Sequence, residues 1–209
     1  MLQKYFSGTL DHSRCNQTGK FQFHLANTNL VSVTTVLKPY SNFSMISPEV
    51  LELASERGSL VHSLLARYAT GLMIFPEEVT PEVAGYYQSG QRWLDKFVVA
   101  VHEVEVEWVH PLHKYMGHPD IVCSLKGDQG KSLIDWKSGA IILPTWPVQV
   151  AAYRELAEKN GHQIARVGCV RIKKDGKVPK LDEFTGTMAA DYAVFLCVLT
   201  CWKRLVKDD

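Results

Sequence analysis

The chain has 209 residues, 46% of them hydrophobic and 22% charged, with a net charge of +1. That length supports a single domain, residues 1–209, whose core needs neither disulfides nor a structural metal. No unbroken run of eighteen apolar residues occurs, and Met1 to Tyr5 lacks signal-peptide character, so a cytoplasmic chain without a transmembrane segment is expected.

Taken in chain order, Lys20 to Leu25 alternates like a strand. Ser47-Pro48-Glu49 signals a helix start, with a capping serine, a proline at the first helical position and an acid behind it. This helix should reach about Thr70 and stop at Gly71, with Val50, Ala54, Val61, Leu65 and Tyr68 along its inner face. Thr80-Pro81-Glu82 repeats the signal and opens a helix to about Val99, with Tyr86, Leu94 and Phe97 inward. After Ala100 the period becomes alternating. Val101, Glu103, Glu105 and Glu107 fall on one side of a strand, and Val104, Val106 and Trp108 lie between them, as on a half-exposed strand or beside an acidic site.

Two more strands follow, near Ile121–Leu125 and Ser132–Lys137, joined by a turn at 126–130. Residues 146–159 read as a helix with Val148, Ala152 and Leu156 buried. Residues 164–172 and 178–184 read as strands joined by a tight turn at Asp175-Gly176, and an apolar helix runs from about Met188 to Val206. This order predicts an α/β fold around a central mixed sheet flanked by helices.

The five cysteines are odd in number and form no C-x-x-C pair, which fits a reducing compartment. Cys197 and Cys201, four apart on the last helix, read as small buried hydrophobes. Charge is unevenly placed. Arg166, Arg171, Lys173, Lys174, Lys177 and Lys180 face the single acid Asp175 in their segment, while three glutamates crowd at 103–107. A neutral total can therefore hide a basic face and an acidic pocket. The basic segment suits either a solvated hairpin or a grip on a phosphate backbone through Arg171, Lys173, Lys174 and Lys177.

Chemistry concentrates in Gly117-His118-Pro119-Asp120 and Ile134-Asp135-Trp136-Lys137. On adjacent strands, Asp120 and Asp135 are hard oxygen ligands of the kind magnesium prefers for phosphodiester hydrolysis. Asp135 and Lys137 share a strand face, so the lysine can reach the attacking water or the phosphate, and the Trp136 carbonyl can add a ligand. The same residues would also suit a surface hairpin carrying an ion pair.

These motifs, with Ser32-x-Thr34-x-x-Leu37, Arg57-Gly58-x-x-x-His62 and Gln149-x-x-x-Tyr153, resemble the RecB-like branch of the PD-(D/E)XK nucleases over residues 32 to 160. The match is similar to compact members from bacteriophage genomes and from mitochondrial genome maintenance. The resemblance implies a restriction-endonuclease-like core acting as a metal-dependent deoxyribonuclease. Asp120, Asp135 and His62 would bind magnesium, with manganese able to substitute, and Lys137 would act on the nucleophilic water. Gln149 and Tyr153 would position DNA or the lysine. The family's further acid falls among Glu103, Glu105 and Glu107, with Glu105 chosen. Some members carry an iron–sulfur cluster; Cys15, Cys197 and Cys201 do not supply its spacing, so none is expected. The function implied is a DNA exonuclease of recombination, repair or phage DNA processing, acting on DNA with a free end in the cytoplasm of a bacterium or phage-infected host. The alternatives are a flap or junction endonuclease, or a non-catalytic DNA-end-binding module.

Overall fold

The computed structural model describes residues 30–205, except 42, 44, 45 and 140. Cys15 and the alternating stretch at Lys20–Leu25 lie outside them. Among the described residues, the strands are β1 Val31–Ser32, β2 Val98–Val104, β3 Trp108–Val109, β4 Tyr115–Gly117, β5 Ile121–Leu125, β6 Lys131–Lys137, β7 Ile164–Arg171 and β8 Leu181–Glu183. The helices are α1 Val33–Leu37, α2 Pro48–Thr70, α3 Pro81–Phe97, α4 Thr145–Lys159 and α5 Met188–Leu205.

The main sheet has the order β2-β5-β6-β7-β8, antiparallel except where β6 and β7 run parallel. α4 makes the crossover between that parallel pair. The chain is thus α/β with a mixed sheet flanked by helices, as its pattern predicts. A second sheet, β1-β4-β3, was not legible, because strands of two or three residues carry no measurable period.

β5 and β6 are covered on both faces, so they read as nearly continuous apolar runs. α2 and α3 close one face over Val101, Ile121, Ile134 and Trp136. α1, α4 and α5 close the other over Val122, Leu133 and Val167. α2 begins after Ser47 and ends at Gly71, whose φ is 73°. The Ser47 side chain makes no capping hydrogen bond; extended backbone at Ser47 and the ring of Pro48 set the start. Val50, expected inside, is 55% exposed, because the part of α2 carrying Val61, Leu64, Leu65 and Ala69 is what reaches the sheet.

The acidic strand departs from its pattern. β2 has register irregularities against β5 between Val98 and Ala100 and between Val101 and Glu103, and the chain turns at Glu105, whose φ is 51°. The three glutamates consequently part company. Glu103 faces His162 at 3.5 Å, Glu107 faces His118 at 3.1 Å, and Glu105 takes a third direction.

The expected tight turn at Asp175-Gly176 is present, the Gly176 N–H donating to the Lys173 carbonyl at 3.2 Å, but it sits within a longer loop between antiparallel strands. β8 has only three residues, and the loop between β7 and β8 is fastened to α3 instead. The Ser89 hydroxyl donates to the Lys177 carbonyl at 2.7 Å and accepts the Lys173 N–H at 2.9 Å. Arg92 donates to the Gly176 carbonyl at 2.9 Å. At Gly85 the loop comes so close that a Cβ would stand 1.7 Å from the Lys174 carbonyl oxygen.

α5 sends Phe195 and Leu199 into the core beside α4. Cys197 and Cys201, expected to be buried, are exposed, because two residues from Phe195 and Leu199 is about 200° around the helix. Cys123 and Cys169 are buried. Thr185–Leu205 is long and apolar enough to cross a membrane, with 21 residues, mean hydropathy 1.3 and 11% of its apolar window buried. Scattered polar residues interrupt it, so no unbroken apolar run marks it in the sequence. Its core contacts through Phe195 and Leu199 fit a helix packed against the rest of the fold.

Ser89 is fully buried, so Ser89→Ala removes both hydrogen bonds that clamp the loop. The expected loss is about 1–3 kcal/mol in urea unfolding. An unchanged midpoint would mean that the loop is held by other contacts.

Candidate metal centre

The site lies where three strands end side by side. Ile121 of β5 pairs with Ile134 of β6, so Asp120 and Asp135, the next residue on each strand, are neighbours. Just beyond β2, the Glu105 N–H donates to the Asp120 carbonyl at 3.1 Å. Hydrogen bonding along the sheet edge thus brings together three acids that are fifteen residues apart in sequence at each step.

Asp120 is the best-held of them, at 5% exposure. One carboxylate oxygen accepts the Trp136 N–H at 2.5 Å, and the other faces Nδ1 of His62 at 3.0 Å. His62 reaches in from the middle of α2, and its ring meets the buried Trp136 ring edge-on at 6.1 Å. One ligand atom from each of His62, Glu105 and Asp120 lies within 4.8 Å of the other two. Trp136, expected to offer its carbonyl, contributes its N–H and its ring in the structure.

Asp135 is turned to a different set of partners. Its Oδ2 lies 2.5 Å from Lys137 Nζ, and its Oδ1 accepts from Gln149 Nε2 at 3.3 Å. The Gln149 amide closes the ring by accepting from Lys137 at 2.9 Å, and it also donates to the Tyr153 hydroxyl at 3.2 Å. Gln149 and Tyr153 stand one turn apart on α4, both buried. Gly117 makes room for this helix, since a Cβ there would come within 2.5 Å of the Tyr153 ring. The glycine of G-x-x-D therefore has a packing reason, independent of its neighbour Asp120.

Of the residues read from sequence, His62, Glu105, Asp120, Asp135, Trp136, Lys137, Gln149 and Tyr153 form one connected group. Arg171, Lys173, Lys174 and Lys177 do not join it. Arg171 pairs with Asp182 at 2.5 Å and Lys177 with Asp175 at 3.1 Å, while Lys173 and Lys174 are exposed on the clamped loop. Two ring contacts lie nearby. Lys137 Nζ stands 5.8 Å from the Trp146 ring centre, and Arg57 lies 5.0 Å over the Tyr86 ring. Arg57 belonged to the R-G-x-x-x-H motif but had no assigned partner.

Crowding the acids perturbs each of them. Burial and the neighbouring Asp120 push Glu105 up to about 8. Burial also raises Asp135, to about 6, against the opposing pull of Lys137. Asp120 goes the other way: burial would raise it, but the charged His62 beside it holds it low. His62 is raised to about 9, because the Asp120 carboxylate outweighs the penalty of burial. Lys137 is likewise raised, Asp135 overcoming its desolvation. At neutral pH the free site therefore keeps a proton on Glu105.

The His62 imidazole and the Glu105 and Asp120 carboxylates form a donor set able to hold a metal ion, and the set does not by itself select which one. No protein-family profile and no curated protein matches this chain.

Glu105 binds a proton in the folded chain up to about pH 8, but an unfolded glutamate releases it near 4.5. Folding stability should therefore fall as pH rises between those values. In chelator, Glu105→Gln lacks this loss, so its Tm should overtake that of the wild type progressively from pH 5 to 9. Manganese should restore the wild type and do little for the variant. Parallel pH profiles for the two proteins would remove Glu105 from the buried acid cluster.

Proposed function

We propose that the chain is a magnesium-dependent DNA exonuclease with a restriction-endonuclease-like core, of the RecB-like PD-(D/E)XK type. The observation that carries this reading is the convergence of His62, Glu105 and Asp120 within 4.8 Å, beside the Asp135–Lys137–Gln149 ring. Binding through these residues also gives the buried acids a purpose that a surface ion pair lacks, since burying charge is costly unless it is paired or coordinates a cation.

In this reading His62, Glu105, Asp120 and Asp135 would hold the cation, His62 and Glu105 each giving up a proton to do so, with the Trp136 carbonyl as a further donor. When bound, a divalent cation would supply positive charge against the phosphoryl oxygens and make a water more acidic. Lys137, kept protonated by Asp135 and aimed by Gln149, would orient the attacking water and offset the negative charge that builds on the phosphoryl oxygens. Gln149 is a positioning residue, and Tyr153 fixes its amide. Hydrolysis leaves a 5′-phosphate. The substrate is DNA with a free end, and the setting is the cytoplasm, in recombination, repair or phage DNA processing.

Asp120→Asn should abolish magnesium-dependent cleavage of end-labelled linear DNA while the fold is kept. Lys137→Ala should lose about 10²–10³-fold in rate, as removal of one preorganised cation or donor does. Its DNA affinity, measured in calcium, should change much less. Equal losses in rate and affinity would make Lys137 a phosphate contact only. A closed circle should survive where the linear form is degraded. Rapid cutting of the circle would favour the flap or junction endonuclease, and binding without cutting by the wild type would favour a DNA-end-binding module.

A further inference from the structure

Lys137 is held from three sides. Asp135 Oδ2 lies 2.5 Å from its Nζ, the Gln149 amide oxygen accepts from it at 2.9 Å, and the ring centre of Trp146 stands 5.8 Å away. Trp146, Gln149 and Tyr153 follow one another at i, i+3 and i+7 on α4, so they share the face of the helix that meets Lys137. Trp146 is buried in the first turn of that helix. Its N–H donates to the Leu143 carbonyl at 3.0 Å, and the Thr145 hydroxyl before it lies 3.4 Å from that of Ser41. On the strand side, a Cβ at Gly139 would stand 3.7 Å from Trp146 Cζ2, an ordinary packing distance. The ring is therefore fixed in place before anything binds.

We propose that Trp146 is a positioning residue for Lys137, its ring holding the ammonium in place for the attack on the phosphate, an inference that rests on the nuclease reading of the site. The three partners hold Lys137 in different ways. Asp135 is the strongest, but its charge is claimed twice: in that reading the same carboxylate is a cation ligand, and positive charge beside it weakens its hold on the lysine. Gln149 keeps one hydrogen bond, which fixes a distance and still lets the flexible four-carbon stem swing about it. The ring is a neutral partner that a metal ion does not draw away. Its face attracts an ammonium through the ring quadrupole, most strongly for tryptophan and where water is excluded. Lys137 meets that condition, its side chain being largely shielded from solvent. A ring also leaves the charge uncancelled, so Lys137 keeps it for the phosphoryl oxygens, and two committed N–H groups leave a third for the attacking water. Trp146 packs in the core beside α4 as well, so its π face must be tested apart from its bulk.

The test replaces Trp146 in the full chain by tryptophans carrying one, two or four ring fluorines, which drain the π face stepwise with little change of shape. Single-turnover cleavage of end-labelled linear DNA in magnesium should slow with each step, by about tenfold across the series. DNA affinity in calcium and the Tm should stay nearly constant. Trp146→Leu should lose about as much rate as the most fluorinated ring, and Trp146→Phe clearly less. In a Lys137→Ala background the series should have no effect, because the ring then has nothing to hold. A second readout needs no cleavage. Asp135→Asn removes the ionic hold on Lys137, and in protein labelled with 15N-lysine the Lys137 ammonium protons, assigned by their loss in Lys137→Ala, should remain visible by NMR in chelator. Adding Trp146→Leu to Asp135→Asn should broaden them away, with circular dichroism checking the fold. A flat response to fluorination, a loss that persists without Lys137, or an ammonium signal indifferent to Trp146→Leu would each overturn the proposal. Failure of the nuclease reading looks different: no magnesium-dependent cleavage by the wild type, with the ammonium signal still dependent on Trp146.

Discussion

The structure turns on the carboxylate of Asp120, buried at the junction of three strands and one helix. It accepts the Trp136 N–H from β6 and faces His62 from α2. Its own carbonyl accepts the Glu105 N–H from the end of β2. An isolated carboxylate in that position would carry a desolvation penalty of several kcal/mol, so the neighbours that satisfy it are obligatory. The contacts that satisfy Asp120 are thus also the ones that gather His62 and Glu105 beside it.

Around Asp120 the charges nearly balance. His62 and Lys137 bring two positive groups, while Asp120 and Asp135 bring two negative ones. Glu105 is the surplus acid, and it is Glu105 that rises to about 8. A site so composed is close to neutral with one proton aboard and becomes anionic when that proton leaves. In the proposed reading, binding a divalent cation would release a proton from Glu105 and another from His62, both held protonated in the free site, so cation affinity would rise with pH. Glu105 also holds a φ of 51°, a conformation uncommon for a side chain of its kind. Strain and surplus charge meet at one position, a pattern that sites of function tolerate and surface hairpins have no reason to keep.

Much of this was legible in the sequence, and the limits follow the physics. α2, α3, α4 and the β5–β6 hairpin announce themselves because proline starts, glycine stops and long apolar periods act locally. Asp120 and Asp135 were readable as a pair because a short turn joins their strands. The choice among Glu103, Glu105 and Glu107 was not readable from alternation, since the β2 irregularities and the turn at Glu105 break the period that alternation assumes. His62 is the opposite case. Fifty-eight residues separate it from Asp120, and only the resemblance of its motif, not any spacing, linked the two. The clamp on the basic loop was invisible for a similar reason: Ser89 and Gly85 look like ordinary helix residues until the loop arrives against them.

The balance of buried groups also discriminates between readings of the site. A module that merely held a DNA end would benefit from cations at its surface and would lose affinity with every acid near the phosphate. Here the lysines lie on a preformed loop at one side, while the acids sit at the strand ends with a lysine locked among them. Attraction and repulsion are separated by only the few residues from Lys137 to Gly139. Such an arrangement is poor for binding alone, because the acids would push away the phosphate that the loop draws in. In the proposed reading it would become favourable once a divalent cation covers the carboxylates, for then both halves would attract the same strand. The acids make sense as the holders of that cation, and the neighbouring cations as the means of bringing a strand to it.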